Sequence, residues 1–109
     1  MKILWVSANL LGLELLREAH SEIRDSLTIL TLSKDSTTVM YDNVPADSWD
    51  DFGVEVVRVE KISESSQKIK EINPDLVIMC GWRQKITKEL LEIPDKGWVG
   101  FHPTLLPKG

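Results

Sequence analysis

The sequence is poor in the residues that mark several specialised classes of protein. Its 109 residues include one cysteine, Cys80, so no disulfide can form within the chain, which fits a reducing cytoplasm. Cys80 lies in an apolar run with no positive neighbour to activate its thiol. We therefore expect it to be a small, buried, unreactive side chain.

Long apolar runs and excess positive charge are also lacking. No stretch approaches the roughly 18 apolar residues that span a bilayer. The apolar start of the chain breaks at Ser7-Ala8-Asn9, too soon for a signal peptide. The net charge is −4, and no basic run is dense enough to follow a phosphate backbone. We expect neither a membrane nor a nucleic acid as the primary partner.

Glycines are missing where a dinucleotide-binding loop would need them. The first loop reads Ser7-Ala8-Asn9-Leu10-Leu11-Gly12 and has one glycine, whereas the fingerprint G-x-G-x-x-G needs three. Asn9 and Leu10 are too bulky for the close approach of a pyrophosphate, so NAD and FAD are disfavoured. A plain strand-to-helix turn is the simplest interpretation. The alternative is a substrate phosphate held by the helix N-terminus, over Asn9, Leu10, Leu11 and Gly12.

The remaining sequence alternates between strand and helix patterns, at 42% hydrophobic and 28% charged residues. Apolar and β-branched runs predict strands at residues 2–8, 26–33, 54–59, 75–80 and 97–101. Apolar spacing and capping residues predict the helices between them. The first has an inward face of Leu11, Leu15, Leu16 and Ala19, capped by Asn9. The second runs from Ser63 through Asn73 with Ile69 and Ile72 inward, and the third carries Leu90 and Leu91 after Thr87.

This alternation predicts an α/β fold: a Rossmann-like, mostly parallel five-stranded sheet with helices on both faces, in one domain over residues 1–109. The polar stretch 34–53 is predicted to be a long loop. Ligands of such sheets bind beyond the carboxyl ends of the strands, where strand order reverses. Three loops are therefore candidates for a site: residues 7–12, 81–86 and 100–109.

The second loop offers groups that suit a flat heterocycle. Gly81 allows close approach, Trp82 presents a flat apolar face, and Arg83 and Gln84 supply hydrogen-bond donors. An equally good interpretation is that Trp82 packs beneath the following helix and Arg83 is solvated. In the third loop, His102 follows a strand and precedes Pro103, a suitable place for acid–base chemistry, although a single histidine is more often structural. His20, at the end of the first helix, is expected to complement the helix dipole.

The segment DLVIMCGWRQKITKELLEIPDKGWVGFHPTLLPKG, residues 75–109, resembles the 10-formyltetrahydrofolate-dependent formyltransferases. This family includes the methionyl-tRNA, glycinamide ribonucleotide and sugar N-formyltransferases. The shared features are an apolar strand, a Gly-Trp type of loop, a short helix ending in Leu-Leu and proline, and a His-Pro-Ser-Leu-Leu-Pro type of segment. The resemblance implies a cytoplasmic transferase that moves a formyl group from the folate to a small-molecule amine.

The same resemblance implies roles for individual residues. His102 is the expected catalytic residue, handling protons and stabilising the oxyanion formed when the amine attacks. The folate pocket is expected to be lined by Gly81, Trp82, Arg83, Gln84, Lys85 and Ile86. The end of the catalytic strand would be held by Pro103, Leu105, Leu106 and Pro107. No metal and no covalent intermediate are implied. Leu11-Gly12-Leu13-Glu14 looks more like the sugar enzymes, which suggests a nucleotide-linked amino sugar as the acceptor.

Two departures from the family pattern qualify this expectation. The family asparagine belongs two residues before the histidine, where this chain has Gly100, and losing such a donor costs about 100- to 1,000-fold in rate. The family aspartate lies downstream of Gly109. We therefore expect an incomplete enzyme that is inactive alone and self-associates through the edge strand 97–101. The alternative is a non-catalytic binding or regulatory module. A receiver-like module ranks low, because Ser7-Ala8-Asn9 lacks the acids that it needs.

Overall fold

The computed structural model describes residues 1–33, 46–80, 82 and 85–101. Within these residues, five parallel strands form one sheet in the order β3-β2-β1-β4-β5. The strands are β1 (Ile3–Val6), β2 (Leu27–Leu32), β3 (Glu55–Val59), β4 (Leu76–Cys80) and β5 (Trp98–Phe101). The predicted Rossmann-like parallel sheet is confirmed, with each strand somewhat shorter than its apolar run.

Helices cover both faces of the sheet. They are α1 (Leu10–Ile23), α2 (Ser66–Ile72) and α3 (Lys88–Leu91), with short 3-10 segments at Arg24–Ser26, Ala46–Phe52 and Ile62–Glu64. α1 and the segment Ala46–Phe52 build one apolar cluster, which contains Trp5 and Trp49. α2 and α3 build the other, against which Trp82 and Trp98 pack. The four tryptophans are thus divided two and two between the faces.

The inward face of α1 differs from the predicted one. Gly12, Leu13 and Leu16 are buried, whereas Leu15, predicted to be inward, is 36% exposed. The prediction placed the centre of the apolar face of α1 at Leu11, Leu15 and Leu16. The helix instead turns Gly12 toward the sheet, because only a residue without a side chain fits there, and this rotation moves Leu15 to the flank.

The predicted cap at Ser63 is also wrong. Residues Ile62–Glu64 form a 3-10 turn, and α2 begins at Ser66 after Ser65, whose hydroxyl donates to the Lys61 carbonyl rather than capping the helix. The inward residues Ile69 and Ile72 are buried as predicted. Asn73 ends α2 with φ of 55°, the left-handed conformation that asparagine tolerates, just before Pro74.

The predicted long loop contains regular structure in its second half. Residues Ala46–Phe52 form a 3-10 helix that buries Trp49 and Phe52 in the cluster beneath α1. Residues 34–45 lie outside the described residues. Two large aromatic side chains three residues apart anchor this segment, a signal that the polar composition around them concealed.

Candidate functional site

The strand order reverses between β1 and β4, which are hydrogen-bonded neighbours at the centre of the sheet. β4 in turn pairs with β5 in parallel. The carboxyl ends of these three parallel strands lie side by side. The chain leaving each of them therefore starts from the same edge of the sheet, where ligands of open parallel sheets bind.

The first loop is organised by Asn9, which caps α1 as predicted. Its Oδ1 atom accepts the backbone N–H of Gly12 at 2.9 Å, and its carbonyl accepts that of Leu13 at 3.0 Å. This capping uses one of the N–H groups that a phosphate at the helix N-terminus would need. Leu10, at the same end of α1, is 48% exposed. A substrate role for this loop stays a prediction.

Gly12 seats the first turn of α1 directly on the ends of two strands. A Cβ atom at this position would overlap the Ser7 hydroxyl and stand 2.7 Å from the carbonyl oxygen of Cys80. Ser7 is fully buried, and its Oγ has no hydrogen-bond partner among the described residues. The loop therefore packs closely over the ends of β1 and β4. Its glycine, Gly12, allows the helix to contact these strands directly.

Three residues of the second loop are described in the structure: Trp82, Lys85 and Ile86. Gly81, Arg83 and Gln84 lie outside the described residues. Trp82 and Ile86 are half-buried and pack against the cluster that includes Leu90 of α3. Trp82 thus packs on the same face of the sheet as the following helix, α3. This agrees with the interpretation that Trp82 packs beneath that helix. Lys85 is exposed beside them. Ligand binding by this loop stays a prediction.

α3 is fixed at both ends of its single turn. Thr87 Oγ1 accepts the N–H of Leu90 at 3.3 Å, which confirms the predicted cap. The indole N–H of Trp98 donates to the Leu90 carbonyl at 3.0 Å, tying α3 to β5. These contacts hold the end of the second loop against the strand that leads to the third.

The third loop begins at Gly100 and Phe101, the last described residues of β5. Gly100 is exposed and pairs with Met79 of β4. The predicted catalytic residue His102 lies outside the described residues, and so do its predicted supports, Pro103, Leu105, Leu106 and Pro107. Their roles stay predictions.

The structure also describes the surroundings of Cys80 and His20, for which we stated expectations from the sequence. Cys80 is fully buried as predicted, and burial raises the pKa of its thiol. His20 lies in the last turn of α1, and its Nε2 atom is 2.9 Å from the Phe52 carbonyl, with the two rings in edge contact. Sequence reasoning missed this bridge because its partners are 32 residues apart.

Within the described ranges, no group of three potential metal ligands comes together, and no helix is long and apolar enough to cross a membrane. The family model of formyl transferase matches residues 28–108. The chain belongs to the formyl transferase family. The predicted resemblance is confirmed, and the family is one of transferases.

Curated relatives of this formyl transferase chain share short stretches with it. Methionyl-tRNA formyltransferase of Clostridium botulinum is 48% identical over 44 residues, 40% of this chain and 14% of the relative. That of Lysinibacillus sphaericus is 38% identical over 60 residues, 53% of this chain and 19% of the relative. That of Ehrlichia ruminantium is 42% identical over 45 residues, 41% of this chain and 15% of the relative. The chain therefore aligns with less than a fifth of each of these relatives.

The formyl transferase match begins in β2 and runs past the end of β5. It therefore includes all of the second loop and all but the last residue of the third, whereas β1 and α1 precede it. Within the match, Gly100 departs from the asparagine that the resemblance leads us to expect, at a position on the edge of the candidate site.

Proposed function

We propose that this protein takes part in the transfer of a formyl group from 10-formyltetrahydrofolate to an amine, with residues 1–109 as an N-terminal formyl transferase domain. The observation that carries the proposal is the family match over residues 28–108, which includes the loop 81–86 and His102. The adjacency of β4 and β5 supports it, because both segments leave the same edge of the sheet. The buried free thiol of Cys80 supports a cytoplasmic setting.

The described residues of the second loop suit a flat ligand with an acidic tail. Half-buried Trp82 and Ile86 offer apolar surface, and the exposed ammonium of Lys85 offers a positive charge nearby. The folate would supply the reactive formyl group. In this proposal, His102 takes a proton from the attacking amine and hydrogen-bond donors stabilise the negative charge on the formyl oxygen.

Two acceptors are candidates. The relatives' names point to the amine of methionyl-tRNA, whereas Leu11-Gly12-Leu13-Glu14 resembles the sugar enzymes. In the structure, Gly12 and Leu13 are buried where α1 packs on the sheet, so their side of the helix does not favour an acceptor contact. We therefore place the tRNA-linked amine first and a nucleotide-linked amino sugar second, and drop the expectation that nucleic acid is excluded.

Donor binding tests the proposal on the chain itself. Calorimetric titration with a non-reactive analogue of 10-formyltetrahydrofolate should show saturable binding. Lys85→Glu should weaken it about threefold or more, since one exposed ion pair is replaced by a repulsion. Lys68→Glu on α2 is the matched control and should leave binding unchanged. No binding by the unaltered chain, or equal effects of the two variants, would contradict the proposal.

A second candidate is a non-catalytic binding module, and Gly100 in place of an asparagine favours it. Gly100 lies in extended β5 and is not among the glycines with positive φ, so an asparagine fits the backbone there. Formyl transfer to each acceptor should be assayed in the native protein with and without Gly100→Asn. If the protein is an enzyme lacking one oxyanion donor, the rate should rise about 100- to 1,000-fold. Analogue binding without turnover in either form would favour the module.

A further inference from the structure

The helix α3 is too short to keep its position without help from the rest of the fold. It spans four residues, whereas helices shorter than about 12 residues are marginal unless tertiary contacts support them. Leu90 anchors it through three groups. Its N–H donates to Thr87 Oγ1 at 3.3 Å, its carbonyl accepts the indole N–H of Trp98 at 3.0 Å, and its side chain is fully buried. Of the two hydrogen bonds, only the one from Trp98 comes from another element.

Trp98 reaches α3 from a part of the sheet that is itself held in register. It is the first residue of β5 and the register partner of Val77 in β4. The Val77 N–H donates to the Gly97 carbonyl at 3.0 Å, beside this pair. The Trp98 ring packs against the cluster that contains Val77 and Leu90. The indole therefore ties α3 to the end of the sheet formed by β4 and β5.

The described residues to which we assign donor binding lie next to α3. They are Trp82, Lys85 and Ile86, and we call them the donor wall. Ile86 stands two residues before α3 begins, and Trp82 and Ile86 pack against the same cluster as Leu90 and Trp98. The segment 81–86 is held by β4 at one end and by α3 at the other. A shift of α3 would therefore move the donor wall relative to the sheet.

We propose that Trp98 is a positioning residue for the formyl donor. Its hydrogen bond to Leu90 holds α3, and through α3 it holds the donor wall in the arrangement that binds the donor. This role rests on the proposed function. Its physical basis is preorganisation, because binding to a wall that is already in place does not have to supply the free energy of ordering it. Trp98 itself does not touch the donor in this scheme.

Two equivalent substitutions separate this role from packing. Trp98→Phe removes the indole N–H and keeps an aromatic ring in the cluster. Trp5→Phe is the matched control on the other face of the sheet. Trp5 is 4% exposed, and its indole N–H has no partner among the described residues, so the change breaks no hydrogen bond there. Both variants lose packing and stability, which urea unfolding measures, but only Trp98→Phe should alter the donor wall.

Amide hydrogen exchange tests the positioning without a ligand. In Trp98→Phe, the Leu90 and Leu91 amides, which donate to Thr87, should exchange about tenfold faster, because α3 loses a hydrogen bond that holds it. The amides of α1 should be unchanged in that variant. Trp5→Phe should leave the amides of α3 unchanged. Unchanged exchange in α3 of Trp98→Phe, or equal acceleration there in both variants, would overturn the proposal.

Donor affinity is measured on the same three chains by calorimetric titration with the non-reactive analogue of 10-formyltetrahydrofolate. Trp98→Phe should weaken binding about fivefold or more, and Trp5→Phe should leave it unchanged. Equal affinity of Trp98→Phe and the unaltered chain, or equal losses in the two variants, would overturn this role and leave the proposed function standing. Absence of binding by the unaltered chain would contradict the proposed function itself, and this role with it.

Discussion

Gly12 lies where three pieces of backbone meet: the first turn of α1, the end of β1 and the end of β4. Ser7 occupies the space that a side chain at position 12 would need, and the Cys80 carbonyl closes it from the other strand. The effects of substitutions at Gly12 and Ser7 should therefore depend on each other. The helix can approach the sheet this closely only because position 12 has no Cβ.

We expect Gly12→Ala to destabilise the fold by about 1–3 kcal/mol, since the overlap with Ser7 outweighs the better helix propensity of alanine. Urea unfolding should show a lower midpoint with an unchanged slope. Adding Ser7→Gly should recover part of the loss, because it removes the overlapping atoms but leaves the Cys80 carbonyl. Additive effects of the two changes would show that the coupling is absent.

Cys80 gives the stability a dependence on alkaline pH. Burial raises the pKa of the folded thiol above its ordinary value of 9.0. The unfolded chain therefore loses this proton first, and stability falls as pH rises above 9.0 through the folded pKa. Cys80→Ala should lose less stability than the unaltered chain between about pH 7 and about pH 10. Equal losses by urea unfolding would show that other groups cause the dependence.

Local chemistry made several single residues predictable from the sequence. Asn9 and Thr87 cap helices and Cys80 is buried, each for reasons contained in a few neighbouring residues. Leu15 and His20 were not predictable in this way. The rotation of α1 depends on Ser7 and Cys80 beneath Gly12, and the partner of His20 is Phe52, far along the chain.

At the scale of elements, the start of α1 depends on one side chain. Asn9 accepts the Gly12 N–H, and in the described first turn no acidic residue assists it. The strands were predictable because each is a dense apolar run. The segment Ala46–Phe52 was missed because its two aromatic anchors, three residues apart, stand among polar and acidic residues and supply only one turn of apolar spacing.

Asn9→Ala should cost about 1 kcal/mol of stability, whereas Asn9→Asp should cost little, because a carboxylate also caps and suits the helix N-terminus. Thermal unfolding followed by circular dichroism measures both. Equal losses in the two variants would mean that the side-chain amide of Asn9, rather than capping, matters at this position.

At the scale of the whole molecule, the described sheet ends at β5, which pairs with β4 on one side. The strand order was predictable in part, since alternating strands and helices favour neighbouring parallel strands. The candidate site was predictable only as three loops at one edge of the sheet. How their side chains sit depends on contacts such as Trp82 with the α3 cluster, which no local pattern encodes.

Among the described residues β5 has a neighbouring strand on one side only, and we expect this edge to make the 109-residue chain self-associate through backbone pairing. Val99→Lys should shift the sedimentation profile toward monomer, because charge on an edge strand opposes pairing. Val99→Thr, which keeps a β-branched uncharged side chain, is the control and should leave association unchanged. A monomeric unaltered chain at high concentration would contradict this expectation.

The division of the tryptophans between the two faces has a spectroscopic consequence. Trp5 and Trp49 report on one side of the sheet, and Trp82 and Trp98 on the other. Replacing either pair with phenylalanine leaves a chain whose fluorescence comes from one side alone. Coincident emission changes in the two chains during denaturation would mean that both sides melt as one unit. Separate transitions would show that the packing on one face of the sheet unfolds before the packing on the other.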